Sequence, residues 1–89
     1  MHVRVYSKTD CPLCEVVIDQ VEVHARTIGF DLSVVDIRGD AELFATYRYR
    51  VPVVVARDEV LSELGGDPAA LGAALQRAKA ASDPASVSR

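Results

Sequence analysis

Cys11 and Cys14 are the only thiols in 89 residues. Their C-x-x-C spacing follows a short apolar-alternating run (Val3, Arg4, Val5, Tyr6) and precedes a long helical pattern. A cysteine at such a strand-to-helix joint stands at a helix N-terminus. There the unpaired backbone N–H groups and the positive end of the dipole favour an anion. Pro12 suits the first helical position, which makes Cys11 the N-cap and puts Cys14 one turn inside. A Cys11 thiolate is then placed to accept hydrogen bonds from the N–H groups of Leu13 and Cys14, the arrangement that lowers a thiol pKa from about 8.5. The chemistry this implies is thiol–disulfide exchange. Cys11 attacks a substrate disulfide, and the less exposed Cys14 resolves the mixed disulfide. Asp10 opposes the thiolate by like-charge repulsion, so a moderate shift is expected.

Three other uses of C-x-x-C fit less well. Structural zinc takes four ligands, and only His2 and His24 remain to complete a set. In a helix over 11–28, His24 lies roughly 15 Å along the axis from Cys14, out of reach. A structural disulfide closing so small a ring would constrain almost nothing. Inert buried cysteines are at odds with the exposed-turn character of Lys8, Thr9, Asp10 and Pro12.

An apolar share of 49% and a charged share of 26% are those of an ordinary soluble domain, and the length allows one core. A net charge of −3 argues against nucleic acid or an anionic membrane as partner. No apolar run approaches the about 18 residues of a membrane span. The N-terminus goes straight into a strand pattern without a signal-peptide apolar region, so a reducing cytoplasm is expected.

Residues 2–7 read as a first strand. From 11 to about 28, Leu13, Val17, Val21, Ala25 and Ile28 recur at helical spacing, opposite a stripe of Glu15, Asp19, Glu22 and Arg26. Glu22 and Arg26 form an i,i+4 pair on that stripe, and Gly29 is a fitting stop. His24 reads as a surface or boundary residue. Residues 31–37 read as a second strand, parallel to the first through the helical crossover. Asp40 caps a short helix through about Tyr47, with Leu43, Phe44 and Tyr47 inward. Arg48, Tyr49 and Arg50 lead into a third strand, 51–56, and an Arg57-Asp58 turn returns an antiparallel strand, 59–63. Asp67 and Pro68 start a last helix, roughly 68–80, with Leu71, Ala74, Leu75 and Ala78 apolar. One domain, 1–81, and a disordered tail, 82–89, are expected.

That order, β-α-β-α-β-β-α, resembles the glutaredoxin-like branch of the thioredoxin fold across residues 2 to 80. The matching pieces are Tyr6-Ser7-Lys8 ahead of Cys11-Pro12-Leu13-Cys14, the Val51-Pro52 pair, and Gly65-Gly66-Asp67 before the last helix. Leu13 between the cysteines looks more like the small C-x-L-C glutaredoxin-like proteins than the glutathione-dependent ones. The resemblance implies a three-layer α/β/α fold with a four-stranded mixed sheet, dithiol oxidoreductase activity, and a cis bond before Pro52 beside the redox pair. It implies substrate contacts at Lys8, Pro12, Leu13, Val51, Pro52, Gly65, Gly66 and Asp67. Lys8 is placed to meet a glutathione carboxylate or to acidify Cys11, and Val51 to offer its N–H and C=O to an extended substrate chain.

The sequence also departs from the family. Gly65-Gly66 lies further from Pro52 than the glycine pair of glutaredoxins, and Arg50 stands where threonine or serine usually precedes Val-Pro. No tryptophan precedes Cys11, and no aromatic tail follows the last helix. The expectation is a monomer without bound metal or cofactor. It would act on protein or small-molecule disulfides and draw electrons from an upstream thiol reductant, with glutathione or another low-molecular-weight thiol as co-substrate. The alternatives are a redox-inactive scaffold of the same fold and an iron–sulfur carrier. Pro12 and Leu13 suit the carrier poorly, because cluster carriers favour a small, flexible C-G-F-S.

Overall fold

The computed structural model of the chain describes residues 1–82. Seven elements follow in order: β1 (His2–Ser7), α1 (Pro12–His24), β2 (Asp31–Asp36), α2 (Ala41–Tyr47), β3 (Val53–Ala56), β4 (Glu59–Glu63) and α3 (Pro68–Ser82). The strands form one sheet in the order β2-β1-β3-β4. β1 and β2 pair in parallel from His2↔Asp31 to Ser7↔Asp36. β3 runs antiparallel to both β1 and β4. The mixed four-stranded sheet of an α/β fold is therefore present.

Strand alternation explains why there are three layers. Side chains along a strand point to opposite faces in turn, so a central strand rich in Val can feed two cores. Val3 and Val5 of β1, with Val54 and Ala56 of β3, meet Val17 and Val21 of α1 and Leu71 and Leu75 of α3. Tyr6, Val53 and Val55 point the other way, into a second cluster with Ile37, Val51 and Cys14. Leu43, Phe44 and Tyr47 of α2 pack against that second cluster, and the rings of Tyr6 and Tyr47 stack at 4.7 Å. The sheet thus carries α1 and α3 on one face and α2 on the other.

Several boundaries differ from the sequence expectation, each for a local reason. The α-helix expected over 11–28 ends at His24 and widens into a π-helical turn, Ala25–Gly29, closed by the Phe30 N–H on the Ala25 carbonyl. Gly29, at φ +88°, then ends it. Among the described residues no ion pair joins Arg26, the second residue of that turn, to Glu22, and Arg50 pairs with Glu63. The helix buries Cys14, Val17 and Val21, and Leu13 lies off that face. Ile37 belongs to a short 3₁₀ turn, Ile37–Gly39, because the Asp36 carboxylate caps the Arg38 N–H. β3 starts at Val53, after the proline that cannot donate to a ladder. α3 runs on through Ser82, and the rest of the expected tail lies outside the described residues. Among the described residues no helix is long and apolar enough to cross a membrane.

Other expectations hold. Asp40 caps α2 through its carboxylate and the N–H groups of Glu42 and Leu43. The Arg57-Asp58 turn has φ of 54° and 64°, the twist a two-residue hairpin needs. His24 sits on the α1 flank, half-buried, with its imidazole against α3 at Gly72. A Cβ on Gly72 would stand 2.8 Å from His24 Cε1. Alanine in a helix interior is favoured over glycine by about 1 kcal/mol. In the native chain the close contact with His24 offsets that gain, so Gly72→Ala is expected to be about 1 kcal/mol more favourable in a His24→Ala background, the low end of the cost of an overpacked contact. Denaturant unfolding of the four proteins of that cycle measures the coupling. A coupling of zero would remove the contact from the account of how α1 and α3 meet.

Candidate redox site

The chain turns out of β1 through Asp10, whose φ of +62° is left-handed. Aspartate tolerates this better than most side chains because its carboxylate can bond locally. Cys11 follows in extended conformation, φ −113° and ψ 96°, as the N-cap of α1, with Pro12 at the first helical position. Its Sγ accepts the N–H of Cys14 at 3.1 Å. Of the two N–H groups expected to face that sulfur, Cys14 supplies the one that bonds it. The two sulfurs form a disulfide across a Cα–Cα separation of 5.2 Å. Cys11 is partly exposed, whereas Cys14 is 1% exposed and belongs to the second core. An incoming sulfur therefore reaches Cys11 and not Cys14.

Val51-Pro52 is a cis peptide. Val51 and Val53, on either side of the buried Pro52, share the core cluster that contains Cys14 and against which Cys11 packs. This brings the proline loop and the cysteine pair together. The Val51 N–H, however, donates to the Tyr47 carbonyl at 3.0 Å. The expectation that Val51 offers both N–H and C=O to a substrate strand is corrected: the end of α2 already holds the N–H. The Leu64 N–H bonds the carbonyls of both Arg50 and Pro52, which ties the next loop to this one.

That loop passes through three left-handed residues, Leu64, Gly65 and Gly66, at φ 56°, 83° and 105°. Gly65 faces Leu13, and a Cβ there would meet Leu13 Cδ1 at 3.1 Å. Gly66 has open space beside its Cα. Asp67 accepts the Ala69 N–H at 3.0 Å and so serves as a cap of α3. Leu13, Gly65 and the proline loop thus converge beside the redox pair, and Asp67 anchors the helix behind them. Lys8 lies on the other side, its Nζ reaching the Arg48 carbonyl at 3.5 Å. Lys8, Asp10, Glu15 and both cysteines line one cleft of about 420 Å³.

Two features of this surroundings were not drawn from the sequence. The Thr9 hydroxyl donates to Asp36 at 2.8 Å, linking the loop before Cys11 to the end of β2. The Arg38 N–H first, and then Thr9, hold the Asp36 carboxyl below its ordinary range. That tie stabilises the fold above the ordinary carboxylate pKa and is lost as the pH falls through the lowered one. The second feature is the run after α2. The guanidinium of Arg48 lies over the rings of Tyr49 at 4.6 Å and Phe44 at 5.8 Å, and that of Arg50 over Tyr47 at 5.0 Å. Alternating basic and aromatic residues at 47–50 were its only signal.

Asp10→Asn should keep the left-handed turn while removing the charge beside Cys11. In a Cys14→Ser background, the alkylation rate of Cys11 near pH 7 is expected to rise about two- to threefold, the size of one solvent-screened like charge. An unchanged pH profile would mean that Asp10 sets backbone geometry alone.

Comparison with known proteins places this geometry. The chain is similar to the structural genomics target Ne2328 from Nitrosomonas europaea, with 34% identity and a TM-score of 0.67 over 81% of this chain and 87% of that one. It is similar to target XcR50 from X. campestris, with 30% identity and a TM-score of 0.68 over 84% of this chain and 96% of that one. Thioredoxin 1 from Thermosipho africanus, at 15% identity, shares the fold, with a TM-score of 0.64 over 86% of this chain and 92% of that one. No curated protein matches the sequence. The sequence model described as "Glutaredoxin-like domain (DUF836)" matches residues 2–83. That match spans all seven elements, and the chain belongs to the glutaredoxin-like domain family.

Proposed function

We propose that this protein is a dithiol thiol–disulfide oxidoreductase. The observation that carries the reading is the unequal pair: a partly exposed Cys11 sulfur at the N-cap of α1, bonded to a buried Cys14. In the reduced protein the Cys11 thiolate attacks one sulfur of a substrate disulfide. The substrate S–S bond breaks, and one substrate thiolate leaves and takes a proton from solvent. Cys14 then loses its proton and attacks Cys11 Sγ, releasing the second substrate thiol. The protein is left oxidised, as an intramolecular disulfide, and the substrate has gained two electrons and two protons. An external thiol reductant of a reducing, cytoplasm-like compartment returns the protein to the dithiol.

The protein's own groups serve this cycle without a metal or a bound cofactor. The N–H of Cys14 and the helix dipole stabilise thiolate at Cys11, which makes it both nucleophile and leaving group. The cis-proline loop contributes the Val51 carbonyl to an extended substrate chain, its N–H being held by Tyr47. Gly65 closes on Leu13, and that contact narrows the space a tripeptide thiol would need beside the pair. We therefore read protein disulfides as substrates at least as good as glutathione mixed disulfides.

The two cysteines should leave different chemical traces. Cys14→Ser is expected to accumulate a covalent adduct with a model disulfide, stable until external thiol is added, while Cys11→Ser forms none and loses turnover. Intact-mass spectrometry distinguishes them. Equal trapping would overturn the assignment of roles, and no adduct in either variant would favour an inert scaffold. In a paired assay, reduction of a protein disulfide should match or exceed that of a glutathione mixed disulfide; clear preference for glutathione would contradict the reading of Leu13 and Gly65.

A further inference from the structure

The outward face of the α1–α3 layer carries an apolar stripe, and beyond Leu13 no step of the exchange uses it. On α1, Leu13, Val16 and Val23 are 44%, 51% and 51% exposed. With the half-buried Gln20 they recur at spacings of three, four and three, which sets them in one stripe along the helix. This stripe is separate from the buried set Cys14, Val17 and Val21. α3 packs alongside; its exposed Ala69, Ala73 and Gln76 are uncharged, and its two cations, Arg77 and Lys79, come in its second half. Leu64, 58% exposed, adjoins the Gly65 that touches Leu13. Large hydrophobic side chains gathered on one face mark an interaction surface, whereas single scattered ones do not.

The border of the stripe says what covers it. Exposed Glu15, Asp19 and Glu22 run along its other side, and among the described residues none of them is in an ion pair. A second copy packed antiparallel, α1 against α1, would set that acidic row beside itself, in a chain already at −3. An anionic bilayer would be repelled in the same way. A cationic partner is attracted. The stripe also begins at Leu13, between the two cysteines in sequence, so an occupant lying along it has one end beside the cysteine motif.

We propose that this face docks the protein with which the chain exchanges its disulfide. The docking element is an amphipathic helix whose apolar row is bordered by Lys or Arg. The proposal rests on the exchange function above for the partner's role, and on the surface alone for its chemistry. α1 spans about 20 Å, enough for the i, i+3, i+7 anchors by which one helix lies on another.

The test uses three fluorescent peptides of about 18 residues with one leucine row, flanked by Lys, Gln or Glu. Their binding to the oxidised full-length protein is read by anisotropy and by amide shifts. The Lys-flanked peptide should bind about tenfold more tightly than the Glu-flanked one, as a few surface charges allow. Shifts should gather on 13–23 and 69–80. The double variant Val16→Ser, Val23→Ser should lose about tenfold in affinity for the Lys-flanked peptide. The double variant Asp19→Asn, Glu22→Gln should lose most of the charge preference. Both should reduce a small aromatic disulfide within about twofold of the native rate, since surface substitutions cost little stability. No binding, equal binding of all three peptides, shifts centred elsewhere, or self-association through Val16 and Val23 would each overturn the proposal. Intact peptide preference in a protein inert toward the small disulfide would uphold the docking face and overturn the exchange reading instead.

Discussion

The first turn of an α-helix leaves backbone N–H groups without intrahelical acceptors, and in α1 a cysteine sulfur supplies one. The Cys14 N–H meets Cys11 Sγ at 3.1 Å, and the Glu15 N–H meets the Cys11 carbonyl at 3.2 Å. Both partners of the disulfide are thus fixed by the geometry of one helical turn. The same turn that needs an acceptor is the place where negative charge on sulfur is favoured. Everything nearby either aims this turn or shields one of its sulfurs.

Aiming it falls to the sheet. β1 is central, bonded to β2 on one side and β3 on the other, so its C-terminal end cannot wander. Thr9 adds a side-chain tie from the following loop to Asp36 at the end of β2. Shielding falls to the second core, where Val51, Val53 and Tyr6 close over Cys14. The difference in access between the two cysteines follows from this packing, because C-x-x-C spacing on a helix turns the second thiol toward the sheet. The proposed division of roles between the two cysteines rests on that difference.

The other side of the site is built by loops tied to each other. Leu64 bonds two carbonyls of the Arg50–Pro52 segment, and Gly65 then lies against Leu13. The glycine pair is offset in sequence from its place in glutaredoxins, yet the left-handed run through Leu64, Gly65 and Gly66 sets Gly65 against Leu13 of the cysteine motif, while Gly66 faces open space. Gly65 allows this close approach, since a side chain there would press on Leu13. The end of α2 meanwhile takes up the Val51 N–H, which leaves the proline loop less able to pair with a strand than its position suggests.

Local pattern was enough for the cysteine pair at a helix start, the caps at Asp40 and Asp67, the hairpin at Arg57-Asp58 and the order of seven elements. Each of these depends on neighbours within a few residues, where capping, turn chemistry and periodicity act. Long-range contacts decided the rest. Leu13 has helical spacing with Val17 and Val21, yet the sheet takes Cys14 instead and leaves Leu13 at the surface against Gly65. The Glu22–Arg26 spacing promised a pair, and none forms among the described residues, where the turn that seats Ile28 and Phe30 against the core leaves Arg26 exposed. The Val51 N–H is exposed or engaged depending on where α2 ends, and that depends on aromatic packing of Tyr47 on Tyr6, 41 positions earlier in the chain. Periodicity specifies that a helix has an apolar side; which residue of that side is buried is settled by the surfaces that pack against it.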